Sequence, residues 1–142
     1  MKEVLLYKKL EGEKVRCQNC AHYCLILPEK RGFCGVRENQ SGKLFALNYN
    51  KVAALNIDPI EKKPFFHFLP GSYSLSFAAP GCNFRCKNCH NLTISHSPIL
   101  DGEIAGKEIS PQEIVGAAIK KNLPSISYTY SEPAVFSEYA LD

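Results

Sequence analysis

The alternation of apolar and small polar residues in SYSLSFAAP predicts a β-strand that begins near residue 72. Its two faces are formed by Tyr73, Leu75 and Phe77, and by Ser72, Ser74 and Ser76. A second alternating segment, SISYTY, predicts another strand about 50 residues later. The pattern therefore gives two short strands, each with one apolar and one small polar face.

Between these strands, SPQEIVGAAIKKN carries a helix start signal. Ser110 would cap the helix, Pro111 would occupy its first position, and Glu113 would reach back to complete a capping box. An apolar stripe follows, formed by Ile114, Val115, Ala118 and Ile119. Leu123-Pro124 would end the helix, and EPAVFSEYALD predicts a second helix that starts at Pro133. Strands that alternate with helices predict an α/β fold with a parallel sheet.

The rest of the chain divides into two further parts. Residues 1–41 are expected to be loop-rich, with Pro28, Gly32 and Gly35 as turn signals. Residues 42–71 would form one or two short strands in KLFALNYNKVAALNI, followed by a turn-rich connector. Lys62 and Lys63 in this connector are expected in a solvated turn. The predicted segments are therefore 1–41, 42–71 and 72–142.

Composition excludes several classes of protein. Of the 142 residues 45% are hydrophobic and 22% are charged, which is enough to build a core and argues against disorder. The net charge of +3 is small and scattered, so a nucleic-acid partner is not expected. No apolar segment approaches the ~18 residues of a membrane span, and no secretion signal opens the chain. We therefore expect a soluble cytoplasmic protein in which cysteines serve as metal ligands or catalytic groups.

The seven cysteines fall into two groups. Cys17, Cys20, Cys24 and Cys34 lie at C-x2-C-x3-C-x9-C, and Cys82, Cys86 and Cys89 lie at C-x3-C-x2-C directly after the first predicted strand. Loops at the carboxyl ends of parallel strands form ligand sites. An iron–sulfur cube held by three thiolates leaves one iron open to a small molecule, whereas zinc would need His90 or His96 as a fourth ligand.

The four N-terminal cysteines form a complete ligand set in a stretch with few core residues, so a structural metal is expected there. Zinc is the simplest candidate, because the site is closed and Gly35 follows the last ligand. The alternative is an auxiliary [4Fe-4S] cluster, which also takes four thiolates. His22 is interpreted as a bystander.

Several linked motifs resemble one family. The segments IEKKPFFHFLPGS, GCNFRCKNCHN and TYSEP, in this order, resemble radical S-adenosylmethionine (SAM) enzymes of the branch related to pyruvate formate-lyase activating enzymes. Within that branch the resemblance is greatest to the radical SAM member of the AmmeMemoRadiSam system. The N-terminal segment CQNCAHYCLI…RGFCGVREN is similar to the same group, so the resemblance covers essentially the whole chain.

The resemblance implies roles for particular residues. Cys82, Cys86 and Cys89 would hold a [4Fe-4S] cluster, whose unique iron would chelate the amino and carboxylate groups of SAM. Glu132, with Ser131 and Tyr130 in TYSEP, would lie where the family contacts the SAM amino group. Alternatively, Glu132 only places a negative charge at the N-terminus of the helix that Pro133 begins. The residue before the third cysteine is usually aromatic and lies by the adenine, and its counterpart is Asn88, which could contribute through its backbone.

The implied reaction is reductive cleavage of SAM, in which a 5′-deoxyadenosyl radical takes a hydrogen atom from a small-molecule or protein substrate. An electron donor such as ferredoxin or flavodoxin is also implied. Two other hypotheses remain open: a two-cluster electron carrier, which predicts no effect of SAM on the cluster, and a colourless zinc-binding interaction module.

The resemblance further implies a partial (β/α)6 barrel, which at six βα units would need about 180 residues. The segment from Ser72 to Asp142 is less than half of that length and carries about two units. We therefore expect an N-terminal fragment of a longer enzyme, preceded by its small cysteine-rich segment and inactive by itself.

Overall fold

The computed structural model describes Met1–Asp142. In chain order the strands and α-helices are β1 (Lys2–Glu3), β2 (Tyr7–Lys9), β3 (Val15–Cys17), β4 (Leu25–Ile26), β5 (Arg37–Gln40), β6 (Lys43–Ala46), β7 (Lys51–Val52), β8 (Ala54–Pro59), β9 (Tyr73–Ala78), α1 (Leu92–Leu100), β10 (Lys107–Glu108), α2 (Pro111–Lys120), β11 (Ser125–Tyr128) and α3 (Ser137–Leu141). Two 3-10 helices lie at Ile60–Lys62 and Pro133–Phe136. No helix is both long and apolar enough to cross a lipid bilayer.

The sheet that carries the predicted site is mixed, with β9 in its centre. β8 pairs with β9 in antiparallel orientation, and β11 pairs with β9 in parallel from Ser125↔Ser74 to Tyr128↔Phe77. The parallel strand pair predicted from the sequence is therefore confirmed. The sheet is open and three-stranded, and no barrel closes within the chain.

Each face of β9 is buried, in a different way. Leu75 and Phe77 belong to the main core, which also contains Ile114 and Ala118 of α2 and Phe136 before α3. The small polar face is buried too, because Ser74 and Ser76 are fully inaccessible to solvent. The Ser74 and Ser127 hydroxyls lie 2.7 Å apart, so hydrogen bonding between strands compensates part of the cost of burying this polar face.

The predicted helix starts are mostly confirmed. Ser110 caps α2 and Glu113 closes the capping box, as the sequence indicates. The apolar stripe of α2 is only half buried, because Val115 and Ile119 are exposed. The helix predicted from Pro133 is divided into a 3-10 turn and the five-residue α3. α1 was not predicted, since it contains Pro98 and has no side-chain N-cap.

The first 46 residues contain more regular structure than expected. They form two three-stranded antiparallel sheets, β2-β3-β4 and β1-β6-β5. Residues of both sheets form a small core, which consists of Val4, Val15, Cys17, Ile26, Leu44 and Ala46. The boundary placed at residue 41 falls in the turn between β5 and β6, so this hairpin connects the first two predicted segments.

Candidate metal centre and ligand cleft

The three-cysteine loop and the TYSEP segment lie on one open cleft of about 540 Å³. They meet because β9 and β11 are parallel, so that the loops leaving their carboxyl ends emerge at the same edge of the sheet. The cleft is lined by Lys62, Lys63, Cys82, Phe84, Cys86, Cys89, Asn91, Ser95, Thr129, Tyr130, Ser131 and Glu132. The structure therefore brings together six of the predicted site residues from two distant parts of the sequence.

Polar groups contact two of the three sulfurs. The backbone N–H of Phe84 donates to Cys82 Sγ over 3.4 Å, and the Ser95 hydroxyl lies 3.3 Å from Cys89 Sγ. A donor such as the Phe84 N–H stabilises a thiolate, and polar contacts to sulfur tune a metal that it holds. Ser95 lies on α1 and was missed, because nothing in the sequence predicts that helix.

The TYSEP segment is held against the sheet by its neighbours. The Ser131 hydroxyl donates to the carbonyl of Ala79 over 2.7 Å, which ties the end of β11 to the end of β9. Tyr130 has a left-handed backbone with a φ of 64°, and its hydroxyl donates to Asp58 of β8. A non-glycine residue in this region is strained, and such residues concentrate at functional sites.

The Glu132 carboxylate faces the cleft without capping a helix. The helix that follows is a 3-10 helix of four residues, and the Glu132 side chain makes no cap hydrogen bond to it. The alternative role as a helix-terminal charge therefore has little geometric support, whereas a carboxylate lining a cleft is free to accept a hydrogen bond from a ligand.

Other predicted residues do not reach the cleft. Asn88 and His90 are exposed and lie outside the set of lining side chains. His96 is buried on α1, where its Nδ1 lies 2.7 Å from the Ser95 hydroxyl. Neither histidine is among the side chains that line the cleft with these cysteines.

The four N-terminal cysteines line a second and much smaller cavity. Its volume is about 20 Å³, and Asn19, His22 and Arg37 also line it. Burial raises the pKa of the Cys17 and Cys34 thiols, so both are neutral at pH 7 until a cation stabilises the thiolate. All seven cysteines are free. No three His, Cys, Asp or Glu side chains are already spaced as a metal site, so metal binding at either group requires the thiols to rotate towards a common centre.

Residues beside the four N-terminal cysteines form hydrogen bonds to both loops of the cleft. His22 Nε2 lies 2.7 Å from the carbonyl oxygen of Asn83 in the three-cysteine loop. On the other side, the Asn19 amide donates to the carbonyl of Ala134, two residues after Glu132. His22, interpreted as a bystander to the metal, contacts the neighbouring loop. The four-cysteine segment therefore supports both halves of the cleft.

Comparison with known proteins gives one sequence relationship. No family model and no solved structure matches the chain. The uncharacterized protein MJ0808 of Methanocaldococcus jannaschii is 51% identical over 142 residues, which is 100% of this chain and 42% of that protein. The chain is therefore similar along its whole length to this archaeal protein and spans about two fifths of it.

Proposed function

We propose that this chain is the N-terminal part of a radical SAM enzyme, with its cluster at Cys82, Cys86 and Cys89. One observation carries the proposal: three free thiols and the Glu132 carboxylate line the same open cleft at the carboxyl ends of two parallel strands. The resemblance of the linked sequence motifs supports the same function. A partial (β/α)6 barrel in the full-length protein is part of the proposal.

The cleft fits a cluster with a bound small molecule. Three thiols are one fewer than a closed four-thiolate site needs, which leaves a position for an exogenous ligand. A volume of about 540 Å³ lies within the range of small-molecule and cofactor sites. The Phe84 N–H already donates to one sulfur and the Ser95 hydroxyl contacts another, and polar contacts of this kind would tune a cluster.

Residues after β11 would bind the amino acid end of SAM. The Glu132 carboxylate would accept a hydrogen bond from its amino group, while Ser131 and Tyr130 hold the backbone that carries Glu132. When bound, the reduced cluster would supply one electron to SAM. Cleavage of the S–C5′ bond would give methionine and a 5′-deoxyadenosyl radical, and this radical would take a hydrogen atom from the substrate. Asn88, which is exposed, would contribute only through its backbone.

For the four-cysteine segment we propose a single zinc ion. A cavity of about 20 Å³ holds about one water-sized sphere, which suits one ion better than a cube of four irons and four sulfides. Four thiolates also form the closed tetrahedral set that structural zinc prefers. The electron would come from a ferredoxin- or flavodoxin-type donor, and the substrate is a small molecule or a protein.

Anaerobic reconstitution followed by iron, sulfide and zinc analysis of one sample tests the metal assignment. We expect a brown protein with about four irons and about one zinc per chain. Replacing Cys82, Cys86 and Cys89 together with alanine should remove the iron and the colour but leave the zinc. A triple variant with its full iron content would overturn the proposed cluster site, and a colourless zinc-only protein would favour the interaction module.

Electron paramagnetic resonance of the reduced full-length protein separates the enzyme from an electron carrier. SAM should change the spectrum. Glu132→Gln should weaken the apparent affinity of the protein for SAM by roughly ten- to a hundredfold, because one charge-assisted hydrogen bond is lost. The exposed Glu103→Gln is the matched control and should have no effect. An intact cluster whose spectrum ignores SAM would favour the electron carrier instead.

A further inference from the structure

Two adjacent lysines in the connector after β8 share one carboxylate. Lys62 Nζ lies 2.7 Å from Oδ1 of Asp58, and Lys63 Nζ lies 2.7 Å from Oδ2 of the same side chain. Asp58 is the buried residue near the end of β8, opposite Ser74 of β9. The expectation of a simple solvated turn is therefore wrong for Lys63, whose side chain is 9% exposed.

The positive charge of this cluster exceeds its negative charge. Asp58 also accepts a hydrogen bond from the Tyr130 hydroxyl, and Lys63 lies over the Tyr130 ring at 4.9 Å from its centroid. Burial by itself would raise the pKa of Asp58, but the hydrogen bonds from Lys62, Lys63 and Tyr130 outweigh it and hold that pKa well below its usual range. Two ammonium groups and one carboxylate leave a net charge of about +1.

This excess charge faces the cysteine-lined cleft. Lys62 and Lys63 line it together with Glu132, the only carboxylate among its lining residues. The carboxylate of the adjacent Glu61 instead accepts the N–H of Gly71. The Lys62 side chain is 59% exposed, so it can turn towards a ligand while Lys63 continues to neutralise Asp58.

We infer that Lys62 and Lys63 form a subsite for an anionic oxygen group, a carboxylate or phosphate, on the substrate that enters the cleft. The inference rests on the proposed function, in which the SAM carboxylate is bound at the cluster and Glu132 receives the SAM amino group. The lysine pair is then left to bind the second molecule. Lys62 supplies the mobile donor. The contacts among Asp58, Lys63 and Tyr130 hold the rest of the subsite in place.

Titration of the metal-free chain with inorganic phosphate, and separately with acetate, tests the subsite without relying on the cluster. Lysine-selective nuclear magnetic resonance should show saturable shifts of the Lys62 and Lys63 signals. Lys62→Met should weaken this binding about tenfold, since it removes one charge-assisted contact and the excess charge, while Lys62→Arg should retain it. Lys8→Met removes an equal charge from exposed β2 and should leave the binding unchanged.

Repeating the titration with SAM and the reconstituted cluster identifies the source of the anion. Phosphate binding that persists beside SAM would support a substrate subsite. Displacement of phosphate by SAM, with weaker SAM binding in Lys62→Met, would overturn that assignment. It would mean that the two lysines bind SAM and not the substrate. Shifts that do not saturate, or that are equal in Lys62→Met and Lys8→Met, would overturn the subsite, and an intact response of the cluster to SAM would show that the proposed function survives.

Discussion

Gly81 determines how closely the three-cysteine loop approaches the N-terminal segment. Its φ is +96°, a conformation that L side chains rarely adopt. A Cβ at this position would lie 2.6 Å from Val36 Cγ1 and 3.1 Å from the carbonyl oxygen of Cys34. The contact places the last N-terminal cysteine directly beside the residue that precedes Cys82.

We expect Gly81→Ala to lower the free energy of unfolding by about 2–4 kcal/mol, because overpacking and backbone strain add. Chemical denaturation of the metal-free chain measures this change. Gly116→Ala is the matched control, because Gly116 lies within α2 with no atom near its missing Cβ, and it should stabilise by about 0.5–1 kcal/mol. Equal stability of the Gly81→Ala variant and the wild type would show that the loop shifts away from Val36 without cost.

At the scale of elements, the sequence predicts those features that depend only on residues close together in the chain. The capping box of α2 and the two strands predicted from alternation, β9 and β11, involve residues within one turn or one strand, and each is confirmed. The buried serine face of β9 was missed because its burial depends on distant partners, among them Ser127 on β11. The clustering of the site was predictable from the parallel strands, whereas the pairing of Lys62 and Lys63 with Asp58 was not.

A buried ion pair joins β5 to α3. Arg37 Nη1 lies 2.6 Å from Glu138 Oε2, and the two side chains are 2% and 1% exposed. Glu138 also accepts the backbone N–H of Leu5, and Arg37 lines the four-cysteine cavity. The N-terminal segment is therefore attached to the last helix by charges that no solvent screens.

Glu138→Leu should cost about 3–5 kcal/mol of unfolding free energy, because it leaves the charge of the Arg37 guanidinium buried without a carboxylate partner. The double variant Arg37→Met, Glu138→Leu should recover most of this loss, since no charge then remains buried. Thermal and urea unfolding compare the two. Glu108→Gln in the exposed pair with Lys51 provides the control and should change stability by less than about 1 kcal/mol. A double variant as unstable as the single one would mean that shape, not charge, matters here.

At the scale of the whole molecule, the segment from residue 72 onwards depends on what precedes it. It lacks β8, which pairs with β9 along its length. It also lacks Asn48, whose amide donates to the carbonyls of Pro80 and Val135 over 3.0 Å each. The predicted segments 1–41, 42–71 and 72–142 follow the order of the motifs along the chain. They are not independent folding units, because strand pairing and hydrogen bonds connect them.

We therefore expect a fragment of residues 72–142 to show no cooperative thermal transition by circular dichroism, while the 142-residue chain unfolds in a single one. The reason is that the fragment exposes one edge of β9 and both of its contacts to Asn48. A fragment that melts cooperatively, with the α-helical signal of α2 and α3, would contradict this dependence.

The contact of Gly35 with Pro98 and Ile99 has a consequence for biosynthesis. An added Cβ on Gly35 would lie 2.9 Å from Pro98 Cβ, so α1 packs directly on the turn after Cys34. At ribosomal rates of about 5–20 residues per second, α1 follows Gly35 by roughly 3–12 s. During that interval the four N-terminal thiols have left the ribosome, but α1 has not yet packed on the turn after Cys34. The zinc ion proposed for this segment would therefore bind most easily to the nascent chain.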